Sequence, residues 1–359
     1  MTARLLQGSD AVAQSAIAAG CRFFTGYPML PFTDLLESMA RRMPGVDGVC
    51  MNAETEIEAI NMTLGAGAAG ARAATGSCGQ GIALMQEAIA EAALNEVPFV
   101  VFNMARGQQD YFQATRGGGW GDYRTLCLAP KDVIEAVEHT QLLFHLADKY
   151  RSPVMMYGDY LIAHTYVSVD VVKRDYGPLP AKDWALDGTA GGSGHARQIW
   201  TWAMGTATNP GLGPDLHWQH IADKFEEMAR VEQRWESNSC EDADTVIVSF
   251  GTSGPFVDQV VEDLRADGLR VGAFRPITLW PFPEAALAEA TAAASRVLVF
   301  EVNAGQMIDD VRLSVGGRVP VAPVGRVSID FSGMRQGEIL TVPWIRDRVR
   351  KAIGEVRVS

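Results

Sequence analysis

Residues 52–81 read NAETEIEAINMTLGAGAAGARAATGSCGQG, and this stretch decides the fold. It begins where an apolar run, Val49–Asn52, ends. A helical pattern follows over Glu56–Ala69, then a second apolar run, Ala71–Gly76, and a glycine-rich loop leads into a helix around Gly81–Leu94. Strand, helix, strand, helix in such short order is the βαβ alternation of a parallel sheet. Glu54 stands where the first strand gives way to its helix, a position from which a carboxylate can point into a cleft at the carboxyl edge of the sheet. Glu54 and Glu58 are four apart and share a face, while Glu56 points elsewhere. Glu56 and Glu58 read as acidic residues that favour a helix N-terminus.

The helix body is built almost wholly of small residues, Gly65 to Gly70. Glycines cost helix stability, so close packing against another backbone is the expected compensation. The loop Ser77–Gly81 lets the backbone approach a ligand closely. It matches neither the Walker A nor the GxGxxG pattern, and it fits a phosphate, a nucleotide or a plain tight turn.

The same alternation continues outward. Upstream, Cys21–Phe24 leads through GYPMLPFTD, residues 26–34, into a helix starting near Thr33. Downstream, Pro98–Met104 reads as a buried strand, Val133–Lys149 as a helix and Pro153–Tyr157 as a strand. From about Val171 to Glu241 the pattern gives way to an irregular Gly-, Pro- and Trp-rich linker closed by a charged helix, Ile221–Glu236. Regular elements then resume: strands Asp244–Ser249, Leu269–Phe274 and Arg296–Glu301, with helices Gly254–Asp267 and Glu284–Ala294. A chain of 359 residues divided this way has room for two α/β domains.

Composition narrows the function. Hydrophobic residues make up 47% and charged residues 21%, ordinary for a globular protein. No apolar run approaches the roughly 20 residues that span a bilayer, so no membrane span is expected. The first residues lack the apolar core of a signal peptide, and the cytoplasm is the expected compartment. A net charge of −12 argues against nonspecific nucleic-acid binding. Cysteines 21, 50, 78, 127 and 240 are scattered without a CxxC pair, and the histidines show no ligand spacing, so no metal site is expected. Cys78, at the tip of the glycine loop, reads either as a nucleophile without a paired histidine or as a packing residue.

The segment 104–124, MARGQQDYFQATRGGGWGDYR, combines Arg106, Arg116 and Arg124 with glycines and aromatics. It reads either as a substrate loop whose arginine grips a carboxylate or as an irregular excursion held by Arg–Asp pairs.

Taken together, GCRFFTGYP, NAETEIEAINMTLGAGAAGAR, DYFQATRGGGWGDYRTL, LADKYRSPV, FRPITLWPFP and EVNAGQMIDDVRLSVGGRVPV resemble the α subunit of 2-oxoacid:ferredoxin oxidoreductases, most of all the branched-chain (ketoisovalerate) type. The resemblance implies a thiamine diphosphate pyrimidine-binding domain over residues 1–235, the linker included. It also implies a transketolase C-terminal-like α/β domain over 236–359. It implies CoA-acylating oxidative decarboxylation of a 2-oxoacid. In such enzymes a glutamate bonds the aminopyrimidine, and by position Glu54 matches it. Tyr27, Pro28, Ser77, Cys78, Gly79 and Gln80 are the matching cofactor-binding residues, and Met29, Leu30 and Arg106 the substrate residues. The GDG motif of the diphosphate–Mg²⁺ half-site is absent; GDY occurs instead at 121–123 and 158–160. Diphosphate, Mg²⁺ and an iron–sulfur cluster are therefore expected on a β subunit. A γ subunit, a ferredoxin-like subunit, a hetero-oligomer with two or more copies of each chain, and ferredoxin or a nicotinamide as acceptor complete the expectation.

Two departures stand out. The family loop usually reads GYPITPST, and here Leu30 and Phe32 replace hydroxyl residues. A Gly- and Pro-rich insert that the branched-chain type carries after Arg106-Gly107 is missing. Against Leu30 and Phe32 an apolar substrate would gain roughly 25 cal/mol per Å² buried. An aromatic 2-oxoacid such as an arylglyoxylate or arylpyruvate, a branched aliphatic one, or a scaffold role with a decayed site are the three readings this leaves.

Overall fold

The structure, a computed structural model, describes residues 3–186, 214–325 and 341–355. The chain opens with β1 (Arg4–Gln7) and α1 (Gly8–Ala18) and then alternates. β2 (Phe23–Gly26), α2 (Thr33–Arg42), β3 (Val49–Asn52), α3 (Glu56–Ala68), β4 (Ala73–Ser77), α4 (Gln80–Leu94) and β5 (Phe99–Ala105) follow in turn. The short helix α5 (Tyr111–Thr115) precedes β6 (Leu126–Leu128), α6 (Val133–Tyr150), β7 (Pro153–Asp159), α7 (Tyr160–His164) and β8 (Tyr166–Val169). The part of the expected linker at 187–213 lies outside the described residues. Helix α8 (Pro214–Val231) starts earlier and stops sooner than its pattern suggested, because Trp235 and Glu236 already belong to a strand.

The second unit runs β9 (Trp235–Asn238), β10 (Thr245–Val248), α9 (Ser253–Ala266), β11 (Val271–Pro276), β12 (Thr278–Trp280), α10 (Glu284–Ala290), β13 (Arg296–Val299), α11 (Met307–Val315), β14 (Val321–Pro323) and α12 (Val342–Glu355). Five of its six described strands form a sheet in the order β14-β13-β10-β11-β9, parallel except for β9.

The larger sheet orders as β12-β6-β7-β5-β4-β2-β3, parallel throughout but for β12 at its edge. Strands β4 and β5 are buried along their whole length, as parallel strands covered on both faces must be. From β2 the chain moves outward to β3, then crosses back to β4 on the other side. That reversal opens a crevice at the carboxyl ends of β2 and β4, the place where such sheets receive ligands.

Strand β12 comes from the second unit yet closes the first sheet, so the two units share a sheet edge. The segment after Arg106 ties them further. Gln108 Nε2 donates to the Phe250 carbonyl at 3.0 Å and its Oε1 accepts from the Val302 N–H at 2.7 Å. Gln109 Nε2 donates to the Val302 carbonyl at 2.9 Å. The Tyr111 hydroxyl donates to Asp310 at 2.6 Å, and Arg116 pairs with the same carboxylate at 2.8 Å. Of the two readings of this stretch, the Arg–Asp pair is present, but it braces two domains instead of holding a surface excursion. The glycines beyond it run down the side of α4: a Cβ on Gly119 would lie 2.5 Å from the Ala90 methyl, and one on Gly121 2.9 Å from Leu94. The Tyr123 hydroxyl accepts from the N–H groups of Gly118 and Gly119, both at 3.0 Å. Residues 117–123 are therefore packing, led away from the crevice. The other GDY is equally structural: Asp159 caps α7 through the N–H groups of Leu161 and Ile162 and bonds the Thr252 hydroxyl. Among the described residues no helix is long and apolar enough to cross a membrane.

Candidate functional site

The crevice is framed by the loop after β2, the head of α3, and the end of β4 with the loop 78–79 that follows it. Helix α3 has Thr55 as its N-cap, whose side chain accepts from the Glu58 N–H at 3.2 Å, while Glu58 reaches back to the Glu54 N–H at 2.9 Å. This is a near relative of the capping box, and it fixes where each of the three glutamates lies. Glu58 is a cap, as its sequence context suggested. Glu54 lies before the helix, exposed, and its backbone N–H is the group that Glu58 takes. Glu56, at the first helical position, turns inward and is 4% exposed. Its Oε1 accepts from the Ser77 hydroxyl at 3.1 Å. The expectation that Glu54 is the carboxylate in the cleft thus does not match this geometry: the side chain that enters the sheet's crevice is Glu56. The signal was present as T-E-I-E, residues 55–58, because a Thr cap with Glu three residues on fixes the helix start.

Close approach is built into the loop. A Cβ on Gly81 would sit 2.0 Å from Ser77 Oγ and 2.4 Å from Glu56 Oε1. Gly79 adopts φ 51°, a left-handed value suited to glycine, and its N–H donates to Asp110 Oδ2 at 2.9 Å. Asp110, which sequence reasoning did not single out, is buried, and that burial raises its pKa. Its carboxylate occupies the head of α4, the place where a helix N-terminus would otherwise receive a phosphate.

The loop 26–31 is laid over this arrangement. The Leu30 carbonyl accepts from Cys78 Sγ at 3.1 Å and from Arg106 Nε at 3.0 Å. Three of the expected site residues therefore meet at one oxygen. Burial pushes the Cys78 thiol up to about 11, which favours the packing reading over a nucleophile. Tyr27 and Pro28 are exposed at the crevice mouth, Met29 is half-buried, and Leu30 is 62% exposed. Phe32 is not part of that tip. It is wholly buried, stacked on Phe24 with ring centroids 6.0 Å apart, and sits over the paired glycines Gly26 and Gly76. The expectation that Phe32 faces a substrate is corrected by that placement.

The small-residue helix also divides. Gly67 packs within the chain, where a Cβ would lie 2.8 Å from the Pro98 carbonyl. Gly65 faces open space, and Ile57 and Met62 are exposed beside it. Arg116 is spent on Asp310, leaving Arg106 as the arginine at the crevice. Among the described residues no group of His, Cys, Asp and Glu could hold a metal ion.

The switch point of this α/β sheet thus carries a buried carboxylate, a close-packed glycine loop and a helix head occupied by the chain's own aspartate. Comparison with known proteins gives the class. The family described as pyruvate flavodoxin/ferredoxin oxidoreductase, thiamine diphosphate-binding, matches residues 14–239, and the pyruvate:ferredoxin oxidoreductase core domain II matches 243–331. Ketoisovalerate oxidoreductase subunit VorB of Methanothermobacter marburgensis is 32% identical, with 99% of each chain covered. 2-Oxoglutarate synthase subunit KorA of Methanothermobacter thermautotrophicus is 33% identical over 94% of this chain and 97% of its own. The solved 2-oxoglutarate:ferredoxin oxidoreductase of Magnetococcus marinus, with 2-oxoglutarate, coenzyme A and succinyl-CoA bound, superposes with a TM-score of 0.80 at 27% identity. That match covers 98% of this chain and 65% of that one. The chain belongs to the 2-oxoacid:ferredoxin oxidoreductase family.

Proposed function

We propose that this chain supplies the pyrimidine half of a thiamine diphosphate site completed by a partner subunit, in an enzyme that converts a 2-oxoacid and CoA to acyl-CoA and CO₂. The observation that carries the reading is the pair of carboxylates at the switch point. Glu56 lies buried in the crevice, whereas Asp110 already fills the head of α4. An anion placed there would meet Asp110, so diphosphate and Mg²⁺ belong to a partner chain, expected to carry a GDG motif.

When bound, the cofactor supplies through its thiazolium ring a nucleophilic carbon and an electron sink. Glu56 holds a proton at the aminopyrimidine ring nitrogen, in a dry site where such a hydrogen bond is strong. Tyr27 and Pro28 wall the ring, and the backbone of Ser77, Cys78, Gly79 and Gln80 lines its other side. Arg106, whose Nε donates to the Leu30 carbonyl, directs its terminal nitrogens to the substrate carboxylate. Met29 and Leu30 meet its side chain. With Leu30 exposed at the tip, that side chain is apolar, branched or aromatic, and among the described residues of the loop tip Met29 and Leu30 offer no cation to a second carboxylate as in 2-oxoglutarate. Electrons leave through iron–sulfur clusters on partner subunits to ferredoxin or, through a further subunit, to a nicotinamide.

The test uses the complex isolated from its host through a tag on this chain. CoA-dependent reduction of a viologen dye is compared for branched aliphatic, aromatic and dicarboxylic 2-oxoacids. Preference for an apolar substrate, shifted toward small ones by Leu30→Thr, is expected. A complex without thiamine diphosphate and without activity would establish the scaffold reading instead.

A further inference from the structure

Glu56 is not simply buried; one of its two oxygens is already taken. Ser77 is the last residue of β4, a strand buried along its whole length, so its Oγ is set by the sheet and not by a flexible loop. Its single hydroxyl proton goes to Glu56 Oε1 at 3.1 Å, and both side chains are shielded from solvent. A carboxyl group turns broadly about its terminal torsion, so nothing in a bare glutamate says which oxygen faces a ligand. The Ser77 donor removes that freedom, since in a carboxylic acid the unprotonated carbonyl oxygen is the better acceptor, which leaves the acid proton to the other oxygen. Gly81 completes the enclosure. The space for any Cβ there is filled by Ser77 Oγ at 2.0 Å and Glu56 Oε1 at 2.4 Å, so the α4 backbone presses the pair together.

We infer that Ser77 is a positioning residue that fixes Oε1 of Glu56, so that Oε2 is the oxygen that gives and takes the proton at the cofactor's pyrimidine, with Gly81 as the space the pair requires. The inference rests on the reading of Glu56 given above. The proton shuttles between Glu56 Oε2 and the ring nitrogen, while the Ser77 proton stays on its hydroxyl throughout. In this assignment the Ser77 side chain touches neither cofactor nor substrate, and only its backbone, which the substitutions leave in place, lines the ring. Its loss should weaken proton handling and leave binding of the cofactor almost untouched.

The experiment compares the wild-type complex with Ser77→Ala and Ser77→Thr. Thiamine diphosphate affinity is measured by titration calorimetry, and hydrogen–deuterium exchange at the thiazolium C2 of the bound cofactor is followed by quenched-flow NMR without any 2-oxoacid. Ser77→Ala is expected to slow exchange about 10- to 100-fold, the size of one hydrogen bond to a charged group, with affinity within about 3-fold. Ser77→Thr keeps the hydroxyl and is expected to restore exchange. Should Ser77→Ala not assemble, Ser77→Cys, similar in size and a weak donor, carries the same expectation. Wild-type exchange in Ser77→Ala, or a loss in Ser77→Thr equal to that in Ser77→Ala, overturns the inference alone. A wild-type complex that binds no thiamine diphosphate overturns the reading beneath it.

Discussion

Phe32 offers a quantitative test of where the crevice ends and the core begins. Its ring lies over Gly26 and Gly76, neighbours in register on β2 and β4. A methyl group on Gly26 would fall 2.5 Å from Phe32 Cε1 and 2.8 Å from Cζ. The ring cannot slide away, because a Cβ built on Gly76 is 2.6 Å from its other edge and Phe24 stacks upon it. Gly26→Ala should therefore cost about 1–3 kcal/mol through overpacking. Removing the ring by Phe32→Ala should cost about 3–5 kcal/mol, the range for a buried phenylalanine. In the double variant the new methyl enters the space the ring has left, so Gly26→Ala should cost almost nothing there. A coupling of about 1–3 kcal/mol follows, well outside the few tenths expected of independent sites. Urea unfolding of the purified chain gives the four stabilities from midpoint and slope. Additive costs, or a Phe32→Ala variant of nearly wild-type stability, would refute the assignment of Phe32 to the core.

Three further outcomes are expected. Gln108→Ala strips partners from the Phe250 carbonyl and the Val302 N–H at the domain brace; it should lower stability by about 2 kcal/mol or more and speed limited proteolysis between the two units, whereas equal proteolysis would contradict the brace. His139 is held down to about 3, first by burial and then by Arg275 and Arg234, with Asp132 and Glu236 opposing. Its folded value lies below the ordinary 6.5, so its contribution is complete above that pH and is lost as pH falls toward 3, at up to about 1.4 kcal/mol per pH unit. Thermal unfolding of His139→Gln between pH 7 and 5 should show the flatter dependence, and identical slopes would exclude this histidine. Cys78, with its thiol pushed up to about 11, should resist alkylation by iodoacetamide at pH 8 in the folded chain; labelling as fast as that of an unfolded control would contradict its burial.

Much of the fold was legible in the sequence because the relevant signals are local. The alternation of apolar runs and helical patterns from residue 49 to 157 matches β3, β4, β5 and β7 and the helices α3, α4 and α6 closely, since parallel buried strands read as continuous apolar runs. Helices α1, α5, α7, α11 and α12 and the strands β1, β6, β8, β9, β12 and β14 were not singled out. β6 and β12 are three residues each, and their pairing joins positions far apart in the chain, which no periodicity reports. The site was legible as a place more than as a set of residues. Glycines at 76, 79 and 81 and the junction after β3 marked the crevice, whereas the choice among Glu54, Glu56 and Glu58 depended on the helix start. Counting a helix face from residue 54 puts Glu54 inside; counting from the Thr55 cap puts Glu56 there, the one of the three that is buried. Phe32 misled, and the arginines of 104–124 stayed open between two readings, for another reason. A large apolar residue beside a ligand loop, or an arginine among glycines, has the same sequence signature whether it faces a ligand or a distant part of the same chain.

The central claim is that Glu56 is the carboxylate that serves the cofactor. Glu56→Gln and Glu54→Gln, each assembled into the complex, separate it from the neighbouring candidate when 2-oxoacid- and CoA-dependent dye reduction is measured at saturating thiamine diphosphate. Glu56→Gln is expected to lose at least about 100-fold in kcat, as removal of an acid–base group does, while Glu54→Gln stays near the wild-type rate. The reverse pattern, with Glu54→Gln inactive and Glu56→Gln fully active, would contradict the account.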